Sequence, residues 1–420
     1  MQNNVSDLLR KEIPPSQLDL VHRVAEEASA LKLPIYLVGG FVRDLLLGHP
    51  GLDFDLVIEG DAPKLADFLA RKYGGKVTAH PSFRTAKWTT ASGSSIDFVS
   101  ARSEIYRRPA ALPIVKMGSI GDDLHRRDFT INALAVRLDG NRFGELLDEL
   151  GGLDDLQLGL VRVLHSRSFI DDPTRMVRAV RYEQRYGFKM AQETLALIPH
   201  ACDLLEKLSA QRIRHELDLV LDEPNAESML GRLDELNLLT LIHPALRFDK
   251  STRRRFESTS DVYPAWLDIA SSSITLHDLR WNLWLMALSN REIVSLNKRL
   301  HFTAPLLESL RASSRLWADL PTIAKLRPSQ CVLQLEEFPL ISVCAVCLAA
   351  RRGKSRQMLE KYVMQWRLVK PRTTGHELKR LGLEPGPKYQ TILRQLRAAW
   401  LDGDVRTAEE EGELLEKILH

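Results

Sequence analysis

The sequence predicts an α/β head over about the first 145 residues and an all-helical remainder, and three observations carry that expectation. Up to about residue 140 short β-rich runs alternate with amphipathic stretches, whereas beyond it apolar residues recur with helical period. A chain of 420 residues exceeds what one hydrophobic core usually serves, so two or more packed units are expected. Apolar and charged fractions of 44% and 27% match an ordinary globular protein and argue against a disordered or fibrous one.

Met1 to Gln17 carries charged and polar residues where a secretory leader needs an apolar core, and the longest apolar run, Phe338 to Ala350, is too short to span a bilayer. A cytoplasmic protein with no membrane partner is expected. Ile35-Tyr36-Leu37-Val38 reads as a strand that breaks at Gly39-Gly40, and Phe41 to Leu47 restarts as a helix. A second strand, Phe54 to Ile58, leads to a helix from Ala62 to Lys72. Lys87 to Thr90 and Ser95 to Ser100 read as paired strands joined by Ser92-Gly93-Ser94. Prolines and glycines between Glu104 and Asp122 read as a long loop. In the helical part, breaks are expected near Asp222-Glu223-Pro224, Pro305 and Lys370-Pro371.

Cys202, Cys331, Cys344 and Cys347 are too few for a disulfide framework. Cys344 and Cys347 form a CxxC with no second Cys/His pair to close a tetrahedral site, so they read as buried helix cysteines. The net charge of +3 does not announce a nucleic-acid binder, and any such affinity must come from local patches. Candidates are Arg253-Arg254-Arg255 and the cluster Arg351, Arg352, Lys354 and Arg356.

The chemistry concentrates in Asp53-Phe54-Asp55 and the glycine turn before it. Residues two apart on a strand share a face, so Asp53 and Asp55 project together while Phe54 and Leu56 face the core. Adjacent carboxylates repel unless a cation lies between them, and Mg²⁺, a hard ion that shares its oxygen ligands with phosphates, is the natural occupant. Gly39-Gly40 at the mouth of a helix offers backbone N–H groups to a phosphate, with Arg43 one turn in as a positive clamp. Asp97, alternating with Ile96 and Phe98, is the candidate third carboxylate from a neighbouring strand.

Four ordered stretches then resemble one family. They are Leu37-Val38-Gly39-Gly40-Phe41-Val42-Arg43-Asp44; Asp53-Phe54-Asp55-Leu56; Arg126-Arg127-Asp128-Phe129-Thr130-Ile131-Asn132-Ala133-Leu134; and Asp171-Asp172-Pro173-Thr174-Arg175-Met176-Val177-Arg178-Ala179-Val180-Arg181. Together they resemble the bacterial-type class II tRNA nucleotidyltransferases, which include CCA-, CC- and A-adding enzymes and bacterial poly(A) polymerases. The weaker resemblance continues through Thr373-Thr374-Gly375-His376-Glu377-Leu378 and Gly382-Leu383-Glu384-Pro385-Gly386-Pro387, which look like the tail of tRNA-specific members.

The resemblance implies an α+β, polymerase-β-like head over 1–145, then an all-α neck (146–222), body (223–305) and tail (306–420). It makes Asp53 and Asp55 the ligands of a two-Mg²⁺ site, and Gly40, Arg43 and Arg127 nucleotide contacts. It places Asp172, Arg175, Arg178 and Arg181 on the nucleotide-binding helix. The family's usual Glu-Asp pair is Asp171-Asp172 here. From local sequence alone, Asp172 before Pro173 reads equally as a helix N-cap; the resemblance assigns it base reading, with Asp171 as the cap.

Arg175, Arg178 and Arg181 recur every three residues, forming one helical stripe opposite Met176, Val177 and Val180. Cytosine and adenine both present an exocyclic amine beside a ring-nitrogen acceptor, whereas uracil and guanine present a carbonyl and an N–H there. A carboxylate at Asp172 with a guanidinium at Arg175 therefore matches C and A without a nucleic-acid template. In-line transfer with metals needs no histidine base, so His80, His125 and His165 read as structural or surface residues.

The implied partners are tRNA, ATP and CTP, with a separate CC-adding enzyme if only A is added. The stretches around Val57 to Asp61 and Asp171 to Arg175 look more like the branch that includes A-adding enzymes. Those relatives often carry further domains ahead of the head, and the stretch before Leu31 is too short for one. A poly(A) polymerase is the competing enzyme reading, disfavoured because no strongly basic tail is present. A catalytically inactive RNA-binding module is disfavoured because Asp53 and Asp55 are both intact.

Overall fold

The computed structural model describes residues 4–49, 51, 55–80, 84–257 and 274–420. The chain divides into two compact units, Met1–Ser209 and Ala210–His420.

The first unit opens with helices α1 (Ser6–Glu12) and α2 (Pro15–Ala30), whose Leu20, Val21, Val24, Ala25 and Ala28 are buried at helical spacing. Strand β1 (Ile35–Val38) is buried along its whole length, as a central strand covered on both faces must be. It passes through Gly39 into α3 (Gly40–Leu46). Strand β2 (Asp55–Ile58) follows, then α4 (Ala62–Tyr73), capped by the Asp61 carboxylate on the Lys64 N–H. Next come β3 (Lys76–His80), β4 (Thr85–Thr89) and β5 (Ser95–Ser100), then β6 (Arg102–Ile105), β7 (Ile114–Met117), α5 (Ile120–His125), β8 (Ala135–Arg137) and β9 (Leu146–Leu147).

These strands form a mixed seven-stranded sheet in the order β3-β4-β5-β2-β1-β8-β9, with β2 and β5 parallel and the other pairs antiparallel. The alternation in β4 and β5 buries Ala86, Trp88, Ile96, Phe98 and Ser100, and α4 packs against these strands. A second cluster joins Tyr36, Val38, Val57 and Ala135 to Ile120 and Leu124 of α5.

The loop expected between Glu104 and Asp122 is corrected by the structure: β6 and β7 pair antiparallel from Arg102↔Met117 to Ile105↔Ile114, and α5 begins at Ile120. The hairpin escaped the sequence reading because its apolar residues do not alternate against a core. Ile105, Ile114, Val115 and Met117 are exposed, so backbone pairing rather than burial defines it.

The unit closes with α6 (Gly152–Leu158), a two-stranded parallel pair of β10 (Leu160–Val161) and β11 (Lys189–Met190), and helices α7 (Ser168–Asp171), α8 (Thr174–Tyr186) and α9 (Gln192–Ala201). The inner face of α8 buries Met176, Val177, Ala179 and Val180.

All elements described in the second unit are helical. Helix α10 (Ala210–Asp222) ends and α11 (Ala226–Glu235) begins around Pro224, where a break was expected, and Pro305 lies in the first turn of the helix Ala304–Ile323. Cys344 and Cys347 are buried on the helix Leu340–Ala349, and burial raises both thiols, that of Cys344 to about 12, which keeps them protonated at neutral pH.

Near the C-terminus the carboxylate of Glu411, 2% exposed, accepts from the backbone N–H groups of Arg372 (3.0 Å) and Thr373 (2.6 Å), the Thr373 hydroxyl and the Trp400 indole. Burial pushes its pKa up, but these donors outweigh burial and leave it below the usual carboxylate range. A depressed folded pKa means the contribution to stability is complete above the unfolded pKa of about 4.3 and is lost as pH falls through the folded value. Acid titration followed by circular dichroism should therefore show a destabilisation below about pH 4. Glu411→Gln should lower stability at pH 7 by about 1–3 kcal/mol and flatten that acid slope; an unchanged slope would remove Glu411 as its source.

Candidate functional site

Gly39 sits at φ +68°, in the left-handed region, and a Cβ there would overlap the Arg127 guanidinium. The glycine turn thus has two physical reasons: it lets β1 reverse into α3, and it leaves room for Arg127 beside the turn. Behind it, Arg43 is 3% exposed. Its Nε and Nη2 donate to the two carboxylate oxygens of Asp44, each at 2.9 Å, and its Nη1 donates to Asn132 Oδ1. The guanidinium stacks on the rings of Tyr182 and Tyr186, 5.0 and 4.7 Å from their centroids.

The turn Arg126 to Asn132 carries a dense charge network. Asp123, fully buried on α5, accepts from Arg126 Nη2 (2.6 Å) and Arg127 Nη2 (2.7 Å). Burial pushes its pKa up, yet Arg127 and Arg126 outweigh that and hold the carboxyl below its ordinary value. Asp128 accepts from the Phe129 N–H and from Asn132 Nδ2, both at 2.9 Å, and its Oδ2 lies 2.6 Å from Arg178 Nη2. Here too burial raises and Arg178 lowers, with a net depression, so Asp128 stays ionised at neutral pH.

A cavity of about 300 Å³ opens between these groups and the start of α8, lined by Gly40, Glu104, Tyr106, Arg126, Arg127, Asp128, Asn132, Asp172, Arg175, Arg178 and Tyr182. Its wall is almost wholly polar and carries both signs of charge, which suits an anionic ligand with hydrogen-bonding edges. Five of the residues expected at a site meet here: Gly40, Arg127, Asp172, Arg175 and Arg178. Arg43 lies behind the wall. Arg181, 8% exposed, lies against the Tyr182 ring and is not among the lining residues.

The arginine stripe is therefore not one exposed face. Arg175 is buried and donates to Ser168 Oγ (2.7 Å) and the Arg126 carbonyl (2.8 Å), while Arg178 is one-third exposed on its ion pair with Asp128.

Asp172 accepts at Oδ1 from the Thr174 N–H (3.0 Å) and hydroxyl (2.6 Å), so it does hold the first turn of α8. Asp171, expected as the cap, instead ends α7 and faces Arg167 at 3.5 Å. The chain turns extended at Asp172, φ −136° and ψ 96°, which aims Asp171 back along its own helix. Glu104 and Tyr106 went unrecognised because the segment was read as loop, and Arg102-Ser103-Glu104-Ile105 carries no apolar alternation that would mark it as a strand.

Asp53 lies outside the described residues. Asp55 heads β2, exposed, and its register partner across the parallel pair is Asp97 of β5. Register partners in neighbouring strands share a face about 4.8 Å apart, so the two carboxylates are side by side. Asp97 also pairs with Lys87 of β4 at 3.0 Å. Neither Asp55 nor Asp97 lines the 300 Å³ cavity. The donors are hard carboxylate oxygens at an accessible strand end, a set that fits Mg²⁺ and not a softer metal. Among the described residues no group of three or more His, Cys, Asp or Glu side chains could hold a metal ion.

The basic patches resolve unequally. Arg255 is buried on carbonyls of Leu283 and Trp284 and Arg253 pairs with Glu227 at 3.0 Å, leaving Arg254 exposed. Arg351, Arg352 and Lys354 are exposed, whereas Arg356 pairs with Glu360 at 2.9 Å. His80, His125 and His165 are surface residues, and none lines the cavity.

Residues 35–162 match the model of the poly A polymerase head domain, and residues 187–249 that of the probable RNA and SrmB-binding site of polymerase A. The A-adding tRNA nucleotidyltransferase of Halalkalibacterium halodurans is 33% identical over 97% of this chain and 94% of its own length. That of Geobacter sulfurreducens is 33% identical over 98% of the chain, which spans 48% of that protein. The Thermotoga maritima CCA-adding enzyme complexed with tRNA superposes with a TM-score of 0.83 at 30% identity, covering 99% of each chain.

Proposed function

The chain belongs to the family of tRNA nucleotidyltransferases and poly(A) polymerases, and on that premise we propose that it extends the 3′ end of tRNA, adding CCA or only the terminal A from CTP and ATP, with release of pyrophosphate and no nucleic-acid template. The observation that carries this reading is the cavity in which Asp172 and Arg175 share a wall with Gly40 and Arg127. An acceptor and a donor for one base edge thus line the same cavity as a backbone turn and a guanidinium suited to phosphates. The relatives matched over nearly their whole length are A-adding and CC-adding tRNA nucleotidyltransferases, which favours tRNA over poly(A) addition.

In this reading Asp172 accepts from the exocyclic amine of cytosine or adenine and Arg175 donates to the ring nitrogen. UTP and GTP would set like against like, at about 1–3 kcal/mol for each buried polar group left unpaired. Arg127 and Arg178, at the cavity wall, neutralise triphosphate charge, and Arg43 and Arg181 reinforce the positive field from behind it. Asp53 and Asp55 would hold Mg²⁺, with Asp97 beside them; two such ions, when bound, lower the pKa of the RNA 3′-hydroxyl and stabilise the departing pyrophosphate.

The head (1–145) and neck (146–222) form the nucleotide site, and the body (223–305) and tail (306–420) grip the tRNA. Among the described residues no helix is long and apolar enough to cross a membrane; the proposed substrates, tRNA and nucleotides, support a cytoplasmic protein. If it adds only A, a separate CC-adding enzyme supplies its substrate.

The test is incubation with tRNA ending at the discriminator base, or carrying one or two further cytidines, with each nucleotide separately, resolving products to one nucleotide. Addition of A to the CC end is expected, and addition of C to the shorter ends marks the full CCA activity. Long A tails on unrelated RNA, or no addition to any tRNA end, would overturn the reading.

A further inference from the structure

Tyr186 stands at the far end of α8, almost four turns from Asp172, yet two contacts tie it to the glycine-turn helix. Its hydroxyl donates to Asp44 Oδ1 at 2.9 Å, its ring lies 4.7 Å from the Arg43 guanidinium, and that guanidinium is clamped bidentately by the same Asp44. Tyr182, one turn earlier, stacks on Tyr186 with ring centroids 6.2 Å apart and lies 5.0 Å from the same guanidinium. Arg43 reaches on to Asn132, which donates to Asp128, which pairs with Arg178 on α8. A closed circuit of charge-assisted bonds thus joins α8 to α3 at both ends of the buried guanidinium.

The two helices meet the nucleotide at different groups: α8 starts at the residues that face the base, and α3 starts at the turn that faces the phosphates. Helices are stiff, whereas each connection between them is a few side chains wide, so what α8 senses reaches α3 through these contacts. We infer that Tyr186 is a positioning residue that locks the base-reading helix to the phosphate-binding turn, so that a correctly paired base seats the triphosphate for reaction. This rests on the proposed nucleotidyl transfer. It assigns Tyr186 no contact with substrate, and the discrimination it supports is expressed in the rate of the chemical step.

The test compares single-turnover nucleotide addition by wild type, Tyr186→Leu and Tyr186→Phe, using whichever of ATP or CTP the wild type adds, and UTP. Tyr186→Leu removes hydroxyl and ring; it should slow the matched nucleotide about tenfold while leaving the slow UTP reaction within about twofold, because a mismatched base never gained from the coupling. Tyr186→Phe keeps the ring over Arg43 and should recover most of the matched rate, leaving a deficit of about threefold.

A merely structural tyrosine would lower both rates by one factor, and equal losses, or none, would overturn the inference. Amide hydrogen exchange supplies a readout free of activity: α3 should exchange about tenfold faster in Tyr186→Leu while the first turn of α8 is unchanged. Unchanged α3 protection would also overturn it. If wild type extends no tRNA end, the transfer reading fails, and α3 exchange still decides whether the lock exists.

Discussion

Asp55→Ala should lower nucleotide addition by about a thousandfold or more, equivalent to roughly 4 kcal/mol of transition-state stabilisation, while changing folding stability by no more than about 0.5 kcal/mol. The separation follows from position. Asp55 is exposed at the first residue of β2, and Leu56, Val57 and Ile58 behind it are fully buried and untouched by the change. The strand therefore keeps its pairing with β1 and β5 while losing a carboxylate of the proposed metal site. Asp53→Ala should match it. Asp97→Ala should fall between these variants and wild type, because Asp97 already spends part of its charge on Lys87. Thermal unfolding and single-turnover addition in Mg²⁺ are the two measurements, and near-normal turnover by Asp55→Ala would refute the metal-site assignment.

The second large effect is expected on base choice. Asp172→Asn preserves an oxygen acceptor for the Thr174 N–H and hydroxyl, so the start of α8 should survive, since Asn caps nearly as well as Asp. What it removes is the carboxylate charge, and its amide can donate to the carbonyl of uracil or guanine. Discrimination of the matched nucleotide over UTP and GTP should narrow by about 10- to 100-fold, the equivalent of one or two polar mismatches.

Asp172→Ala should narrow it comparably and also cost about 1 kcal/mol of stability through the lost cap. Arg175→Ala should weaken ATP and CTP together. It should also destabilise the fold, because its guanidinium ties α7 at Ser168 to the Arg126 carbonyl. Single-nucleotide addition with all four nucleotides distinguishes these outcomes. Unchanged preference in Asp172→Asn and Asp172→Ala would leave Asp172 a helix cap and nothing more.

The elements that hydrophobic period defines were legible early: β1, α3, α4 and β5 fall within a residue or two of where Ile35–Val38, Phe41–Leu47, Ala62–Lys72 and Ser95–Ser100 placed them. The β6–β7 hairpin was not legible, because its side chains bury too little to leave an alternating pattern. It brings Glu104 and Tyr106 to the cavity, so two wall residues escaped with it. The basic triplet Arg253-Arg254-Arg255 shows the converse error. Charge counted along a sequence predicts a phosphate surface, but Arg255 is a buried hydrogen-bond donor to helix carbonyls.

What the sequence determined by itself was the local kit: a glycine turn before a helix, a carboxylate at the head of a strand, and Asp172 with Arg175 at a helix start. Each is a local pattern, set by backbone dihedrals and side-chain period within a few residues. Tertiary structure decided how those charges are spent. Spacing of three gave Arg175, Arg178 and Arg181 one face, but which face meets solvent depends on what packs there. Ser168 and Asp128, the partners of Arg175 and Arg178, come from other parts of the chain, whereas Arg181 lies against its own neighbour Tyr182. Likewise the pairing of Asp55 with Asp97 requires β2 and β5 to lie parallel and in register across forty residues of chain, which only the closed sheet imposes. The fate of Arg43 is the clearest case: its motif offers a positive charge to a phosphate, and packing against Asp44, Asn132, Tyr182 and Tyr186 turns it inward, because a buried guanidinium is stable only when its donors are satisfied.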